Sequence, residues 1–292
     1  MSNGLTLMAV HAHPDDEVIG TGGVLARYAA EGARTVLVTC TNGEQGDGPE
    51  GVKPGQPGHD SAAVARRRQE ELRASVALLG VGRLELLGYQ DSGMAGWEAN
   101  RDPGAFCNVP LAEVTNRIAA LVRLYQPQVL ITYDENGGYG HPDHIQVHRV
   151  GMRAAVRAGT PVVYMSTMDR DFFQELRQEV ADSGLTPPGD QPEEEVTMGE
   201  PADRITTEVD VARWIETKRQ AMRAHASQIG EGSFFLSMPD DLFTRVWGQE
   251  WYIRVRPEPV AETAGRREAA LLLPPEPTTG PVGAASGTGG VR

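Results

Sequence analysis

The sequence is poor in cysteine and in long apolar runs, and each shortage excludes a class of protein. Two cysteines, Cys40 and Cys107, cannot cross-link a chain of 292 residues, so a disulfide-built scaffold is excluded and we expect a reduced, cytoplasmic protein. No stretch approaches the roughly 18 uncharged apolar residues of a membrane helix. The first residues lack a basic segment followed by an apolar core, so we expect no signal peptide.

Basic residues are also in the minority, with 27 Lys and Arg against 40 Asp and Glu and a net charge of −13. Because nucleic acids and anionic membranes attract basic surfaces, this balance argues against a nucleic-acid or membrane-surface binder. The hydrophobic content of 40% and charged content of 23% are those of an ordinary globular chain. A small, uncharged or locally neutralised substrate fits this composition best.

Strand-like and helix-like segments alternate along the first 166 residues. The strands are predicted at 5–10, 34–40, 84–87, 129–133 and 161–166, and the helices at 24–31, 61–79, 111–125 and 144–158. Such alternation is typical of a parallel sheet covered on both faces. We therefore predict an α/β fold, a Rossmann-like three-layer sandwich with a mostly parallel central sheet whose core order is 3-2-1-4-5.

The remaining sequence extends this domain to residue 256. We predict a loop over 184–207, a helix over 210–228 and aromatic edge structure over 232–256. The stretch 257–292 is rich in proline and glycine with little periodicity, which predicts a disordered tail without a catalytic role. We thus expect one catalytic domain, 1–256, followed by that tail.

Five of the seven histidines fall in two clusters, and each cluster follows a predicted strand. The clusters are His11 with His13 and His141 with His144 and His148. In open parallel sheets, functional groups collect beyond the carboxyl ends of strands, where the strand order reverses. Strands one and four are neighbours at that point in the order 3-2-1-4-5. Two segments far apart in the chain are therefore expected to meet.

The two segments, HPDDE at 13–17 and HPDH at 141–144, supply nitrogen and oxygen ligands without cysteine. Taken alone, each is typical of a proline-set turn or a capped helix start. Together, His13, Asp16 and His144 make a ligand set that suits Zn²⁺ in a catalytic site, and Fe²⁺ accepts the same ligands. Zinc activates water and polarises a carbonyl, which is what amide hydrolysis requires.

The acidic and imidazole groups that remain suggest proton-transfer roles. Asp15 is the candidate base for the attacking water, and His141 the candidate donor to the leaving amine or the oxyanion. Asp143 is expected to set the tautomer and basicity of His141. We interpret His11 as a satisfied strand histidine and His148 as a residue of an exposed helix face.

Three ordered motifs carry a family resemblance: AHPDDE at 12–17, YGHPDH at 139–144 and RAHASQ at 223–228. With them, residues 5–256 resemble the PIG-L/LmbE superfamily of zinc-dependent N-deacetylases. That group includes N-acetylglucosaminyl-phosphatidylinositol deacetylases and the deacetylase and S-conjugate amidase of mycothiol metabolism. The stretch TYDENGGYGHPDH is especially similar to the mycothiol branch.

The resemblance implies roles for named residues. It agrees on His13, Asp16 and His144 as zinc ligands and on Asp15 as the base. It implies that His141 is a positively charged acid or oxyanion partner tuned by Asp143, and that Tyr139 is a mobile hydroxyl near the substrate carbonyl. It further implies that Arg68 and Asp91 grip the sugar, although a surface charge and a loop cap remain the alternatives for these two. His225 is expected beneath the site.

The sequence thus predicts an enzyme that hydrolyses an amide on the 2-amino group of a glucosamine-containing small molecule. Deacetylation of an N-acetylglucosaminyl inositol and cleavage of a mycothiol S-conjugate are both open, and the stretches MAVHAHPDDE and DENGG favour the amidase. A metal- or sugar-binding module of the same fold and a metallophosphatase with two metals are the alternatives. The partner is a small amino sugar, and whether the chain forms a homo-oligomer is left open.

Overall fold

A computed structural model of the chain describes residues 4–182, 198–233, 235–258 and 266–271. The strands are β1 (Thr6–His11), β2 (Arg34–Thr41), β3 (Arg83–Tyr89), β4 (Val129–Tyr133), β5 (Val162–Thr167), β6 (Thr207–Asp210) and β7 (Gln249–Arg256). The helices are α1 (Asp16–Gly20), α2 (Gly22–Ala30), α3 (Ser61–Leu78), α4 (Leu111–Tyr125), α5 (Pro142–Ala158), α6 (Arg170–Asp182), α7 (Ile215–Ala224) and α8 (Asp240–Trp247).

The strands form one seven-stranded sheet in the order β3-β2-β1-β4-β5-β7-β6. The first five are parallel, and β7 joins β5 and β6 by antiparallel pairing. The predicted α/β class and the core order 3-2-1-4-5 are confirmed. The order reverses between β1 and β4, which lie side by side in the middle of the sheet.

The core lies on both faces of this sheet. Every residue of β1 is buried, as expected of a parallel strand covered by helices on each side. Its side chains alternate between two apolar clusters, with Leu7 and Ala9 in one and Met8 and Val10 in the other. This two-residue period fixes the face of the sheet to which each side chain of β1 points, up to His11 at its carboxyl end.

The start of α5 differs from its predicted start by two residues. The helix begins at Pro142, because proline lacks the N–H that a first helical turn leaves unpaired and its φ already suits a helix. His141 is therefore the N-cap, and its side chain accepts a hydrogen bond from the N–H of Asp143. Gly159, with φ of 74°, ends the helix.

The second half of the chain departs further from the sequence-based prediction. The helix α6 was not predicted, and the helix expected over 210–228 is shorter, at Ile215–Ala224. Of the loop predicted over 184–207, residues 184–197 lie outside the described residues, and β6 begins at its last residue. The aromatic segment 232–256 contains α8 and β7. No described helix is long and apolar enough to cross a membrane.

A short piece of the predicted tail packs against the sheet. Glu268 accepts a backbone hydrogen bond from Glu208 and donates one to Thr206, both at 2.8 Å. Leu271 is buried, and its N–H donates to the hydroxyl of Tyr28 at 3.1 Å. The tail was predicted to be mostly disordered, and within it residues 266–271 contact the edge strand and Tyr28. Residues 259–265 and 272–292 lie outside the described part.

Candidate active site

The site lies at the carboxyl ends of β1 and β4, the adjacent strands at which the order reverses. The segment after β1 carries His13 and Asp16, and the loop after β4 leads into the start of α5 and His144. Although these histidines are 131 positions apart in the chain, His13 Nδ1 lies 3.2 Å from His144 Nε2. The two segments meet, as their positions after neighbouring strands predicted.

Three side chains present their donor atoms to one point. His13 Nδ1 lies 3.2 Å from Asp16 Oδ2, and His144 Nε2 lies 3.3 Å from Asp16 Oδ1. Donor atoms about 2.0–2.1 Å from a tetrahedral zinc ion are separated by about 3.3 Å. The triangle therefore has the size and the chemistry of a zinc site. His141 borders the same point, since ring nitrogens of His13, His141 and His144 lie within 4.8 Å of one another.

The other nitrogen of each candidate ligand is fixed by a second partner. His13 Nε2 lies 3.1 Å from Asp143 Oδ2 and 3.4 Å from Asp91 Oδ1, while His144 Nδ1 lies 3.0 Å from the carbonyl oxygen of Gly137. With these nitrogens donating outward, His13 Nδ1 and His144 Nε2 are left with lone pairs toward the shared point. Such outer contacts orient metal-binding imidazoles.

The carboxylate of Asp143 has a different partner from the predicted one. It accepts hydrogen bonds from the hydroxyl and the N–H of Ser92 and faces His13, while only its backbone N–H contacts His141 Nδ1. The backbone N–H of Asp143, and not its carboxylate, contacts the ring of His141 and sets its tautomer, and the expected effect of Asp143 on the basicity of His141 stays a prediction. His141 is the N-cap and its ring accepts a bond from the first turn, whereas Asp143, the second residue of the helix, has its carboxylate against His13.

Burial is the main influence on His141 and lowers its pKa to about 2, which favours the neutral imidazole. Since Nδ1 accepts the N–H of Asp143, the proton of the neutral ring lies on Nε2, on the side away from that bond. The positive charge on His141 that the resemblance implied stays a prediction.

Asp15 has a strained backbone, with φ of 105°. A non-glycine residue in this region costs on the order of 1–3 kcal/mol, and such strain concentrates at functional sites. The conformation is held by Glu17, whose Oε2 accepts the N–H of Asp15 at 3.0 Å, and by Arg68, whose Nη2 lies 3.0 Å from Asp15 Oδ2. Burial raises the pKa of Asp15 more than Arg68 lowers it.

The two residues expected to bind sugar have partners within the protein. Arg68 is buried and donates to the carbonyl of Gly43 at 2.6 Å as well as to Asp15. Asp91 is buried, accepts the N–H of Gly93 at 2.8 Å, and has a pKa that stays below its usual range because the nearby His13 outweighs the effect of burial. Both side chains still form part of the wall of the cleft.

Tyr139 also lies on the cleft wall, on the loop between β4 and α5. Its ring centroid is 5.1 Å from that of His144 and 6.1 Å from that of His141. Burial raises the pKa of its hydroxyl, which therefore remains a hydrogen-bond donor. The loop is anchored at its first residue, since Asp134 Oδ1 accepts the N–H of Gly138 at 2.8 Å.

One residue that supports the site was not predicted. The ring of Tyr133, the last residue of β4, stacks on His144 with centroids 4.3 Å apart and planes 11° apart. Its hydroxyl lies 3.0 Å from His11 Nδ1, and His11 Nε2 lies 2.8 Å from Thr21 Oγ1, so His11 is fully bonded. His148 is half-buried and contacts the carbonyl of Tyr133 at 2.9 Å, so it does not lie on an exposed face.

The 223–228 motif lies beneath the site. His225 is fully buried, and its Nε2 lies 2.6 Å from Glu17 Oε1, which also accepts the hydroxyl of Ser75. The other oxygen of Glu17 accepts the N–H of Asp15. His225 therefore contacts the residue that sets the Asp15 backbone and reaches no candidate metal ligand.

The same motif also fixes the loop after β2. Ser227 donates through its N–H and its hydroxyl to Glu71 on α3. The amide of Gln228 pairs with the backbone of Asp47, accepting at 3.0 Å and donating at 3.1 Å. Nothing in the residue types alone indicates these contacts; the only available signal was the motif itself.

Most of the candidate groups line one cleft that brings imidazole, carboxylate and guanidinium side chains together, as is typical of a small-molecule site. Its lining residues are His13, Asp15, Asp16, Gln45, Gly46, Arg68, Asp91, Gly93, Met94, Trp97, Tyr139 and His141. Imidazole and carboxylate groups form the floor. Two apolar side chains, Met94 and Trp97, form part of the mouth.

The fold and the site together define a hydrolase of the doubly wound α/β class with an imidazole–carboxylate centre. Family comparison makes this specific, because the family model described as PIG-L, GlcNAc-PI de-N-acetylase, matches residues 8–155. The chain belongs to the PIG-L family, and it is an amidohydrolase of that family. The resemblance stated from the sequence is confirmed.

Relatives agree along nearly the whole chain. A 1D-myo-inositol 2-acetamido-2-deoxy-alpha-D-glucopyranoside deacetylase of Streptomyces griseus is 39% identical, covering 97% of this chain and 94% of the relative. The deacetylase of the same name from Salinispora arenicola is 41% identical over 84% of this chain and 83% of its own. These names favour the deacetylase, against the preference for the amidase drawn from the two sequence stretches.

Solved structures support the fold. The N,N'-diacetylchitobiose deacetylase from Pyrococcus horikoshii has a TM-score of 0.54 and 20% identity to this chain, with 88% of each chain covered. At this identity the likeness concerns the fold alone.

Proposed function

We propose that this chain is a zinc-dependent deacetylase that hydrolyses the acetamide on the 2-amino group of a glucosaminyl inositol. The observation that carries the proposal is the triangle of donor atoms from His13, Asp16 and His144, of which His13 and Asp16 line the cleft. The names of the relatives from Streptomyces griseus and Salinispora arenicola supply the substrate.

His13, Asp16 and His144 would hold the metal ion, since two imidazoles and one carboxylate leave the fourth position of a tetrahedral site open. When bound, zinc supplies a Lewis acid that polarises the amide carbonyl and makes a water molecule more acidic. Fe²⁺ fits the same ligands, so metal content has to be measured on the purified protein.

Asp15 acts as the general base. Its carboxylate takes a proton from the attacking water while the water oxygen bonds to the amide carbon. Arg68, 3.0 Å from Asp15 Oδ2, and the strained backbone together fix the carboxylate in the cleft. When the carbon–nitrogen bond breaks, Asp15 returns the proton to the leaving nitrogen, which gives acetic acid and a free amine; the acid then transfers its proton to the amine in water.

His141 and Tyr139 stabilise the carbonyl oxygen as it becomes negative. The Nε2–H of neutral His141 and the hydroxyl of Tyr139 both border the cleft beside the candidate metal ligands. Fixed donors aimed at a developing oxyanion are among the largest contributions to catalysis. Asp91 and Arg68, which also line the cleft, bind the sugar hydroxyls, since a carboxylate accepts and a guanidinium donates hydrogen bonds.

The test compares the parent protein with Asp15→Asn, because asparagine also tolerates a positive φ and keeps the side-chain size. Each protein is assayed for new primary amine with N-acetylglucosaminyl inositol, a mycothiol conjugate and N-acetylglucosamine, and its zinc is measured by elemental analysis. We expect one zinc per chain in both proteins and an at least 100-fold slower release of amine from the inositol substrate in the variant.

Asp102→Asn is the matched control, because Asp102 is exposed and lies outside the cleft. It should behave as the parent. Parent-like turnover by Asp15→Asn would disprove the base assignment. Turnover of the conjugate alone would indicate an amidase, binding without turnover a sugar-binding module, and two metals per chain a metallophosphatase.

A further inference from the structure

We propose that Trp97, with Met94 beside it, is the binding surface for the second ring of the substrate, the cyclitol attached to the glucosamine. The inference rests on the proposed function and assigns the preference for a two-ring over a one-ring substrate to one side chain. Neither residue takes part in the hydrolysis described above.

Both side chains are unusually exposed for their size. Trp97 and Met94 are each 40% exposed, and they are two of six large hydrophobic side chains exposed among the described residues. Both line the cleft, whereas most of the other lining side chains are charged or polar. An exposed apolar surface beside polar groups is typical of a ligand-binding surface.

The tryptophan ring is held in place before any ligand arrives. It packs on Gly93, which has φ of 67°, and a Cβ atom at that position would lie 2.6 Å from Trp97 Cε3. The turn is closed by a hydrogen bond from the N–H of Trp97 to the carbonyl of Met94 at 3.1 Å. Asn100 ties the turn to the carbonyl of Ser92 at 2.6 Å. A preset surface loses little entropy on binding.

The turn joins this surface to the catalytic floor over a short stretch. The N–H of Gly93 donates to Asp91, whose carboxylate lies 3.4 Å from His13 Nε2. An amide held at His13 and a sugar held at Asp91 would therefore direct the next ring toward Met94 and Trp97. The C–H faces of a cyclitol are apolar and suit an aromatic face, while its hydroxyls project from the ring edge toward water.

The competing occupant is the acyl side of the amide, such as the substituted cysteine of a thiol conjugate. The observation that favours the second ring is the order of groups along the turn. Asp91, the candidate sugar partner, immediately precedes the segment that carries Met94 and Trp97, so the surface continues the wall of the sugar subsite.

The experiment measures kcat/KM of the parent, Trp97→Phe and Trp97→Ala on N-acetylglucosaminyl inositol and on N-acetylglucosamine. An aromatic contact is worth about 0.5–1.5 kcal/mol beyond the area it buries, which corresponds to a loss of up to about tenfold. We expect Trp97→Ala to lose about tenfold on the two-ring substrate, mainly through a higher KM. On the one-ring substrate we expect less than twofold, and Trp97→Phe should recover most of the loss.

Leu124→Ala is the matched control, since Leu124 is a large exposed side chain on α4 that does not line the cleft. This variant should leave kcat/KM unchanged on both substrates. Equal losses by Trp97→Ala on both substrates, or a loss confined to a thiol conjugate, would overturn the inference.

Calorimetric binding of glucosaminyl inositol to the same proteins keeps the inference testable without turnover. Trp97→Ala should weaken binding about tenfold, and unchanged affinity would contradict the inference even if the parent deacetylates the substrate. If the parent binds this ligand through Trp97 but releases no amine from any substrate, the proposed function fails while the binding surface stands.

Discussion

Asp143 and His141 lie two positions apart at the start of α5, yet their side chains serve different partners. Asp143 faces His13, one of the three candidate metal ligands, and His141 presents its free nitrogen to the cleft. Under the proposed function, Asp143 would act through the metal site and His141 would contact the substrate. This division can be measured, because metal affinity and turnover are separate quantities.

For Asp143→Asn we expect zinc affinity to fall by about 10–100-fold, the usual cost of losing an outer partner of a metal-binding imidazole. For His141→Ala we expect nearly parent-like zinc affinity and about 100-fold slower turnover, since an oxyanion donor is lost. Competition with a chromogenic chelator measures the affinity, and amine release measures turnover. The opposite pattern would restore the role that the sequence suggested for Asp143.

At the scale of elements, the segment 223–228 at the end of α7 ties three parts of the fold together. His225 contacts Glu17 on α1, Ser227 contacts Glu71 on α3, and Gln228 contacts the loop after β2. The pair of His225 and Glu17 is fully buried. A catalytic loop with a strained residue needs such support from elements that do not touch the substrate.

We expect His225→Ala to lower the free energy of unfolding by about 3–5 kcal/mol, because a buried carboxylate loses its charged partner. Urea denaturation followed by circular dichroism measures the change. Arg223→Ala, in the same motif but in partly exposed ion pairs, should cost no more than about 1 kcal/mol. Similar losses in the two variants would show that Glu17 does not depend on His225.

The elements of the first half could be predicted because their signals are local. Buried parallel strands are apolar throughout, and helices such as α3 begin at a capping residue, here Asp60, whose side chain accepts the N–H of Ala63. The antiparallel strand β7 and the helix α6 were harder to predict, since they depend on pairing and packing with distant parts of the chain. The secondary-structure propensity of a segment carries no information about such long-range contacts.

In the candidate site, too, local features could be predicted from the sequence and contacts between distant residues could not. The sequence indicated which residues surround the centre, because strand ends and residue types are readable along the chain. It did not indicate which side chains contact each other. The carboxylate of Asp143 contacts His13, and the ring of Tyr133 stacks on His144, and neither contact was predicted. Those contacts depend on angles of a few degrees at helix starts and strand ends, which no pattern of residue types records.

At the scale of the whole molecule, the candidate metal site joins two distant parts of the chain. Its donors come from the segment after β1 and from the start of α5. That helix follows β4, the strand that pairs with β1. Four buried or nearly buried carboxylates, those of Asp15, Asp16, Asp91 and Asp143, surround it. A divalent cation bound there would relieve their mutual repulsion and would stabilise the folded chain, in which alone the donors meet.

Zinc should therefore raise the melting temperature. A ligand present at 100 times its Kd stabilises the folded state by about 2.7 kcal/mol. That corresponds to about 5 °C for a chain of this size. Differential scanning calorimetry before and after removal of metal by a chelator measures the shift. His144→Ala should melt at the same temperature with and without zinc, and a shift of equal size in that variant would place the metal elsewhere.

The six residues 266–271 decide where this protein can be shortened. A truncation after residue 256, the boundary that composition suggests, would expose the N–H of Glu208 and the carbonyl of Thr206, both of which now pair with Glu268. Unpaired strand edges recruit other chains. We expect the shortened protein to form soluble aggregates that grow with concentration in light scattering, whereas a version ending after residue 271 stays unaggregated.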